Sequence, residues 1–200
     1  ALSDAERTAF LAVCGENGAE DCLFVAEKSL DAASGGTVKT TNVVCPERGS
    51  VDGFIDLHTH DQTPVAYPQD GGCIISRGLA QALHLSAGDT ITLQTSDLRR
   101  TSLTVEAVFE NYVYNYVYLT QNTWQEVFGE APAYEAAWVN FLEDTDAQTA
   151  SAALARAKNT AAVTLSSDFR SRVATMMQSL RYIVLVVVVC AAALAFIVLY

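Results

Sequence analysis

The run YIVLVVVVCAAALAFIVLY at residues 182–200 holds no charged side chain and constrains the fold more than any other segment. At about 1.5 Å of rise per residue, a helix of this length measures roughly 28 Å, close to the ~30 Å hydrocarbon core of a bilayer. The alternative is a helix buried in a soluble core, but a chain of 200 residues barely supplies a core large enough to hide it. The run is therefore predicted to be a transmembrane helix.

The preceding segment, residues 166–181, predicts a helix with one apolar stripe. The stripe residues lie three or four positions apart: Phe169, Val173, Met176 (or Met177) and Leu180. Ser166 or Ser167 can cap this helix, and no Gly or Pro interrupts the sequence between there and residue 200. We expect one continuous stalk helix that enters the membrane and transmits force or displacement to a folded domain.

Charge and composition limit what residues 1–181 can do. The chain has 12 Lys and Arg against 23 Asp and Glu, a formal net charge of −11, and the apolar run carries none of it. An acidic domain of this kind argues against binding to nucleic acid or to anionic lipid. Half of the residues are hydrophobic, which argues against disorder. Residues 1–181 are long enough for one domain or for two small subdomains that share a boundary.

Arginines and cysteines disagree about the side of the membrane on which this domain lies. Arg170, Arg172 and Arg181 lie within about 15 residues of the apolar run, and the positive-inside rule then favours the cytoplasm. Four of the five cysteines precede the run: Cys14, Cys22, Cys45 and Cys73. An even set allows disulfides, in three pairings, and disulfides belong to an oxidising exterior.

Cys14 and Cys22 are the two cysteines closest in sequence, and a bond between them would close the loop GENGAED. Cys45 and Cys73 would then be left to pair with each other. Free buried thiols are the alternative. The sequence therefore makes Cys14 and Cys22 the disulfide candidate and leaves the question open.

Local patterns predict a mixed domain of helices and strands. The chain opens as an amphipathic helix capped by Ser3 and Glu6, followed by two strands joined at Gly35 and Gly36. Residues 51–60 fit a short helix or strand. Residues 73–95 predict a strand, a helix, a turn and a strand, and two further strands flank residues 111–115.

The last third of the domain alternates short helices and strands: a helix at 120–128, a strand AWVNFL, a helix DAQTASAALARAKN and a strand AAVTL. We therefore expect an α+β fold. Residues of about 1–40 and 134–165 would form a small α/β layer from both termini, and residues of about 41–133 a mostly β insertion. The stalk at 166–181 and the transmembrane helix at 182–200 would follow.

One motif, FIDLHTHD at residues 54–61, suggests metal chemistry. In a strand, Asp56, His58 and His60 would project from one face, because side chains alternate along a strand. Imidazoles so placed can share a metal, and DLHTH resembles the start of polymerase-and-histidinol-phosphatase-type phosphoesterases. Such a site needs more ligands, yet the one remaining histidine is His84, on a predicted helix. A membrane-anchored, metal-dependent hydrolase is therefore the alternative hypothesis, and an exposed polar loop is the simpler interpretation.

Other catalytic signatures do not occur in the sequence. It contains no G-x-S-x-G, H-E-x-x-H or Walker A motif. We therefore predict no catalytic site and no cofactor. Without a phosphate-binding loop, any ATP-derived energy has to come from a partner.

The sequence GCIISRGLA at residues 72–80, followed by LHLSAGDTITL at 83–93, resembles the extracytoplasmic domains of FtsX/MacB-like ABC transporter permeases. The family is also resembled by the strand pair that ends at residues 114–120, by the short helix after it, and by the predicted stalk helix that leads into an apolar helix. The resemblance covers nearly the whole chain, from the helix expected after a first membrane span to the start of the second.

This resemblance implies a non-enzymatic permease subunit in the cell membrane, with residues 1–181 outside the cell. Members of the family pair as dimers with a cytoplasmic ATPase. Their outer domain couples ATP-driven motion to an extracellular substrate or partner protein, which is called mechanotransmission. An adhesion or receptor ectodomain with a single anchor is a further alternative.

Overall fold

The computed structural model describes residues 2–142, 144–157, 160–165, 182, 184–191 and 194–195. The chain divides into two compact units, Ala1–Glu143 and Asp144–Tyr200. The helices and strands of the first unit are, in chain order, α1 (Asp4–Glu16), β1 (Ala19–Ser34), β2 (Thr37–Pro46), β3 (Gly72–Ser76), α2 (Arg77–Leu83), β4 (Thr90–Gln94), β5 (Arg100–Phe109), β6 (Tyr116–Tyr118), α3 (Gln121–Phe128) and β7 (Ala136–Phe141). The second unit contains α4 (Ala147–Ala155).

Helices α1 and α3 begin at capping residues that can be recognised in the sequence. The Ser3 hydroxyl accepts a hydrogen bond from the Glu6 N–H, and the Glu6 carboxylate accepts one from the Ser3 N–H at 2.9 Å, which completes a capping box. Thr120 caps α3 in the same way through the Thr123 N–H. Gly129 ends α3 at φ 73°, a left-handed conformation that glycine adopts without a steric penalty.

Six strands close into a barrel. Their order is β2, β6, β3, β5, β4 and β1, and β1 pairs again with β2 to complete the ring. The β2–β6 and β3–β5 pairs are parallel, whereas the other pairs are antiparallel. Strand β7 lies outside this ring and pairs with the first part of β1, from Ala19↔Phe141 to Val25↔Ala136.

The barrel interior forms the main hydrophobic core. Alternate strand residues face inward, and helices α2 and α3 pack against the same cluster with Leu79, Leu83, Trp124 and Val127. Representative inward-facing residues are Val43, Cys45, Cys73, Ile75, Ile91, Leu93, Leu103, Val105 and Val117. Removal of these side chains from water is the main force that holds the closed sheet together.

A second hydrophobic cluster covers part of the outer face of the sheet. Val44, Ile74 and Tyr118 point to this side, opposite to their inward-facing neighbours. The segment at 51–67 crosses over them and contributes Val51, Phe54, Ile55, Leu57, Val65 and Tyr67. This segment carries the histidine motif, so the outer face of the barrel positions the residues for which the sequence suggested chemistry.

The prediction of a mixed α/β fold is confirmed by this arrangement of one seven-stranded sheet and its helices. The prediction of a short helix or strand at residues 51–60 is wrong, because turns and one isolated bridge, His58↔Pro64, occupy that part. Residues 160–165 form no strand, which corrects the prediction for AAVTL. The α/β layer from both termini and its boundaries near residues 41 and 133 stay predictions.

The predicted stalk helix lies outside the described residues, including Phe169, Val173, Met176 and Leu180. Of the apolar run, residues 182, 184–191 and 194–195 are described, and they are helical. Among the described residues, no helix combines the length and the hydropathy needed to cross a bilayer. The transmembrane helix at 182–200 and the stalk that joins it therefore stay predictions.

Candidate functional site

The segment at 51–67 doubles back on itself in front of β5. The Val65 N–H donates to the Leu57 carbonyl at 2.8 Å, and the Thr59 N–H donates to the Thr63 carbonyl at the same distance. Gln62 makes the reversal at φ 62°. Because the chain turns here, residues 56–60 do not form the extended strand from which a shared face was predicted.

The two histidines of the motif face different carboxylates. His58 Nδ1 lies 3.0 Å from the backbone oxygen of Asp56 and 3.5 Å from its carboxylate. His60 Nδ1 lies 3.5 Å from Glu110 Oε2 instead. Within the part of the chain that the structure describes, no group of three or more His, Cys, Asp or Glu residues could hold a metal ion. The hydrolase hypothesis is therefore not favoured.

An ion pair between Arg77 and Glu110 lies beside His60. Arg77 is the first residue of α2, directly after β3, and Glu110 directly follows β5. Since β3 and β5 are parallel, with Ser76 opposite Phe109, their carboxyl ends bring these two side chains to the same edge. Arg77 Nη1 lies 2.8 Å from Glu110 Oε2, and the Glu110 side chain is 6% exposed.

Glu110 connects three parts of the fold. Its N–H donates to the His58 carbonyl at 2.7 Å, while its carboxylate accepts from Arg77. The Arg77 hydrogen bond is the main cause that lowers the pKa of the Glu110 carboxyl, and the charge of Arg77 and the nearby His60 add to it. The network thus fixes the loop at 51–67 to β5 and α2, and it accounts for His60 without a metal.

An open groove of about 770 Å³ runs beside this network. Ala80, Leu85, Ala107 and Val108 form its apolar part, and polar side chains including Arg77 and His84 line its rim. The groove offers a shallow contact surface next to an ion pair that is already satisfied.

The structure brings Cys14 and Cys22 together. Cys14 lies near the end of α1 and Cys22 in β1, both are buried, and their thiols interact directly. Burial, with the Cys14 thiol beside it, raises the pKa of Cys22 to about 12. Burial also raises the pKa of Cys14. Both thiols are free in this structure, and the disulfide between them stays a prediction.

Cys45 and Cys73 have separate partners inside the barrel. The Cys45 thiol lies 3.9 Å from the Pro46 carbonyl oxygen and the Cys73 thiol lies 3.6 Å from the Thr104 carbonyl oxygen, and each thiol can donate to its partner. Burial raises the pKa of each thiol to about 12. Both behave as core residues in this arrangement.

One surface feature escaped the sequence analysis. Residues 111–115 connect β5 to β6 and expose two aromatic side chains, with Tyr112 84% and Tyr114 76% accessible. The prediction of two strands that flank residues 111–115 is confirmed, and Asn111 and Asn115 bracket the loop between them. The exposure of Tyr112 and Tyr114 was not predicted.

The fold is similar to that of known extracytoplasmic domains. The extracellular domain of the ABC-type transporter YknZ from Gram-positive bacteria has 18% identity and a TM-score of 0.51, over 77% of this chain and 87% of that chain. The periplasmic region of MacB from Actinobacillus actinomycetemcomitans has 11% identity and a TM-score of 0.48, over 74% of this chain and 70% of that chain. No protein-family model matches the chain, and no curated protein matches it significantly.

The chain thus shares the fold of the extracellular domain of an ABC-type transporter. The resemblance to FtsX/MacB-like domains, predicted from residues 72–93, is confirmed at the level of the fold. Those residues form β3, α2 and β4; both strands pair with β5 in the barrel, and α2 packs against the main core.

Proposed function

We propose that this chain is part of an ABC transporter permease subunit and that residues 1–165 form its extracytoplasmic domain. The observation that carries the proposal is the likeness of the fold to the extracellular domain of YknZ. The resemblance in residues 72–93 supports it independently, because it was found from sequence. The buried pair Cys14 and Cys22 also suits an oxidising exterior.

In this proposal, residues 182–200 span the cell membrane and the stalk at 166–181 connects them to the domain. A cytoplasmic ABC ATPase on a separate chain binds and hydrolyses ATP, and two permease copies or paired permeases stand in the bilayer. The domain itself holds no catalytic site and no cofactor. It couples the ATP-driven motion of the partner to the export or extraction of a substrate, or to an external protein, as mechanotransmission.

Affinity purification of the full-length protein from detergent-solubilised membranes tests this function. Mass spectrometry of the purified material should find an ATPase subunit in stoichiometric amount. A preparation that holds no ATPase, but binds metal and hydrolyses phosphoesters, would contradict the proposal and restore the hydrolase hypothesis.

Labelling of intact cells tests the location of residues 1–181. Leu98 is 73% exposed at the turn between β4 and β5, so Leu98→Cys should react with a membrane-impermeant maleimide. Leu103→Cys lies in the barrel core and is the matched control that should stay unlabelled. Labelling of Leu98→Cys only after cell lysis would place the domain in the cytoplasm.

A further inference from the structure

Residues 111–115, here called the aromatic tip, expose apolar surface in the loop between β5 and β6. Tyr112, Val113 and Tyr114 are consecutive, and their exposed fractions are 84%, 36% and 76%. Neither Tyr112 nor Tyr114 stacks on another ring among the described residues, although the neighbouring Tyr116 stacks on Tyr118. Single exposed apolar residues are normal on a protein surface, but three in a row mark a contact site.

The tip is held in place at both ends. At the first end, the Glu110 N–H donates to the His58 carbonyl at 2.7 Å, and within the loop the Asn111 side-chain amide donates to the Val113 carbonyl at 2.8 Å. At the other end, the Asn115 amide donates to the Thr40 carbonyl at 3.1 Å, and the Tyr116 N–H donates to the Ser76 hydroxyl at 3.0 Å. A surface that is already ordered loses little conformational entropy on binding, which favours affinity.

Tyr114 adopts a backbone conformation that its side chain disfavours. Its φ is 60°, in the left-handed region, where a residue other than glycine or asparagine is strained. Leu98 is exposed at a similar φ of 63°, so this conformation alone does not mark a binding residue. It does allow glycine to replace Tyr114 without backbone strain.

The charges around the aromatic tip indicate the chemistry of the partner that it can bind. Residues 1–143 hold 20 of the 23 acidic side chains and 7 of the 12 basic ones. On the Tyr112 side, Asp61 and Tyr112 both lie within electrostatic range of Arg77, whose charge is already paired with Glu110. On the Tyr114 side, Glu27 lies near the Tyr116 hydroxyl.

Neither Glu27 nor Asp61 forms an ion pair with a described residue. A partner that covers the tip would therefore meet an apolar centre on a domain with an excess of carboxylates, 20 acidic against 7 basic side chains in residues 1–143. Charge complementarity selects a basic rim, and the same carboxylates oppose approach to an anionic lipid surface.

We propose that the aromatic tip docks into an apolar pocket of a partner protein, and that Lys or Arg side chains form the rim of this pocket. Tyrosine is enriched at the centres of protein interfaces, where a few buried aromatic side chains supply most of the binding energy. The proposal deepens the proposed function and rests on it, because it names the surface and the chemistry through which the domain meets its external protein.

Photo-crosslinking in the full-length protein tests this docking. p-Benzoylphenylalanine replaces Tyr112, cells are irradiated, and the adduct is mapped by mass spectrometry. The expected adduct is a protein segment with apolar residues flanked by Lys or Arg, and its yield should fall as salt is raised. The same photoreactive residue in place of Leu98 is the matched control, since Leu98 is also exposed and has φ 63°. That position should give no such adduct.

A second variant separates recognition from folding. Tyr114→Gly removes the side chain and suits the left-handed backbone, so it leaves the fold at least as stable. With the crosslinker at position 112, this change should lower the adduct yield about ten-fold or more. The proposal is overturned if Tyr114→Gly leaves the yield unchanged or if the crosslinker at position 112 gives no adduct. It is also overturned if the adduct forms with lipid, with a second copy of the chain or with a segment that lacks basic residues.

The ATPase content of the same preparations distinguishes this proposal from the proposed function. An ATPase that co-purifies while the tip forms no adduct refutes the docking alone. An adduct of the expected chemistry in a preparation that lacks an ATPase refutes the permease assignment and leaves the docking surface in place.

Discussion

A disulfide between Cys14 and Cys22 is expected to stabilise the first unit by about 2.6 kcal/mol. The bond would close a loop of nine residues between α1 and β1. Loop-closure entropy in the unfolded chain gives about 2.6 kcal/mol at 25 °C for that length. Both thiols are buried and free in this structure, and the Cys14 thiol lies beside that of Cys22. For a unit of this size, the change corresponds to roughly 8 °C in melting temperature.

The assay compares the purified full-length protein with and without reductant. The intact mass should be about 2 Da lower before reduction, because each thiol loses one hydrogen when the bond forms. Thermal denaturation should then show the drop in melting temperature on reduction. Replacement of both Cys14 and Cys22 by Ala should abolish the response, whereas Cys45→Ala should retain it. An unaltered mass, or a melting temperature that ignores reductant, would refute the reasoning.

Three further changes test other parts of the structure. The Arg77 hydrogen bond lowers the pKa of Glu110, so the ion pair stabilises the fold above the ordinary carboxyl pKa, and this stabilisation is lost as pH falls through the folded pKa. In Glu110→Gln, the free energy of unfolding, measured with urea, should therefore fall less steeply as the pH is lowered. Tyr114→Gly should raise the free energy of unfolding by about 1 kcal/mol by relieving left-handed strain, whereas Tyr112→Ala should leave it nearly unchanged. Val173→Pro should break the predicted stalk and abolish transport in cells while an ATPase still co-purifies, and intact transport would contradict the mechanical role.

Much of the local structure followed from the sequence. The capping box of Ser3 and Glu6, the hairpin turn at residues 35–36 and the end of α3 at Gly129 are set by neighbours within four residues. The unit at 72–93 was predictable for the same reason, since apolar periodicity and the turn before β4 specify it. Short-range rules suffice where the partners of a residue are close in the chain.

Closure of the barrel could not be predicted from these patterns. The parallel pairing of Asn42 with Tyr116 depends on packing between strands that are far apart in sequence. The motif at residues 54–61 gave a wrong strand prediction for a related reason. Its alternation of histidines matches a strand, but the apolar side chains of Phe54 and Leu57 pack on the outer face of the sheet and impose an irregular path. His58 and His60 therefore reach different carboxylates.

Two of the strands that pair with β1 are synthesised at very different times. The second part of β1 pairs with β2 directly across the turn at residues 35–36, so that hairpin can form early. Its first part pairs with β7, and Ala19 meets Phe141 only after more than a hundred further residues are made. At about 5–20 residues per second, this partner arrives roughly 6–24 s later. During that interval Leu23, Phe24 and Val25 lack the strand that later covers their edge, so this part of β1 is where a nascent chain would need protection from aggregation.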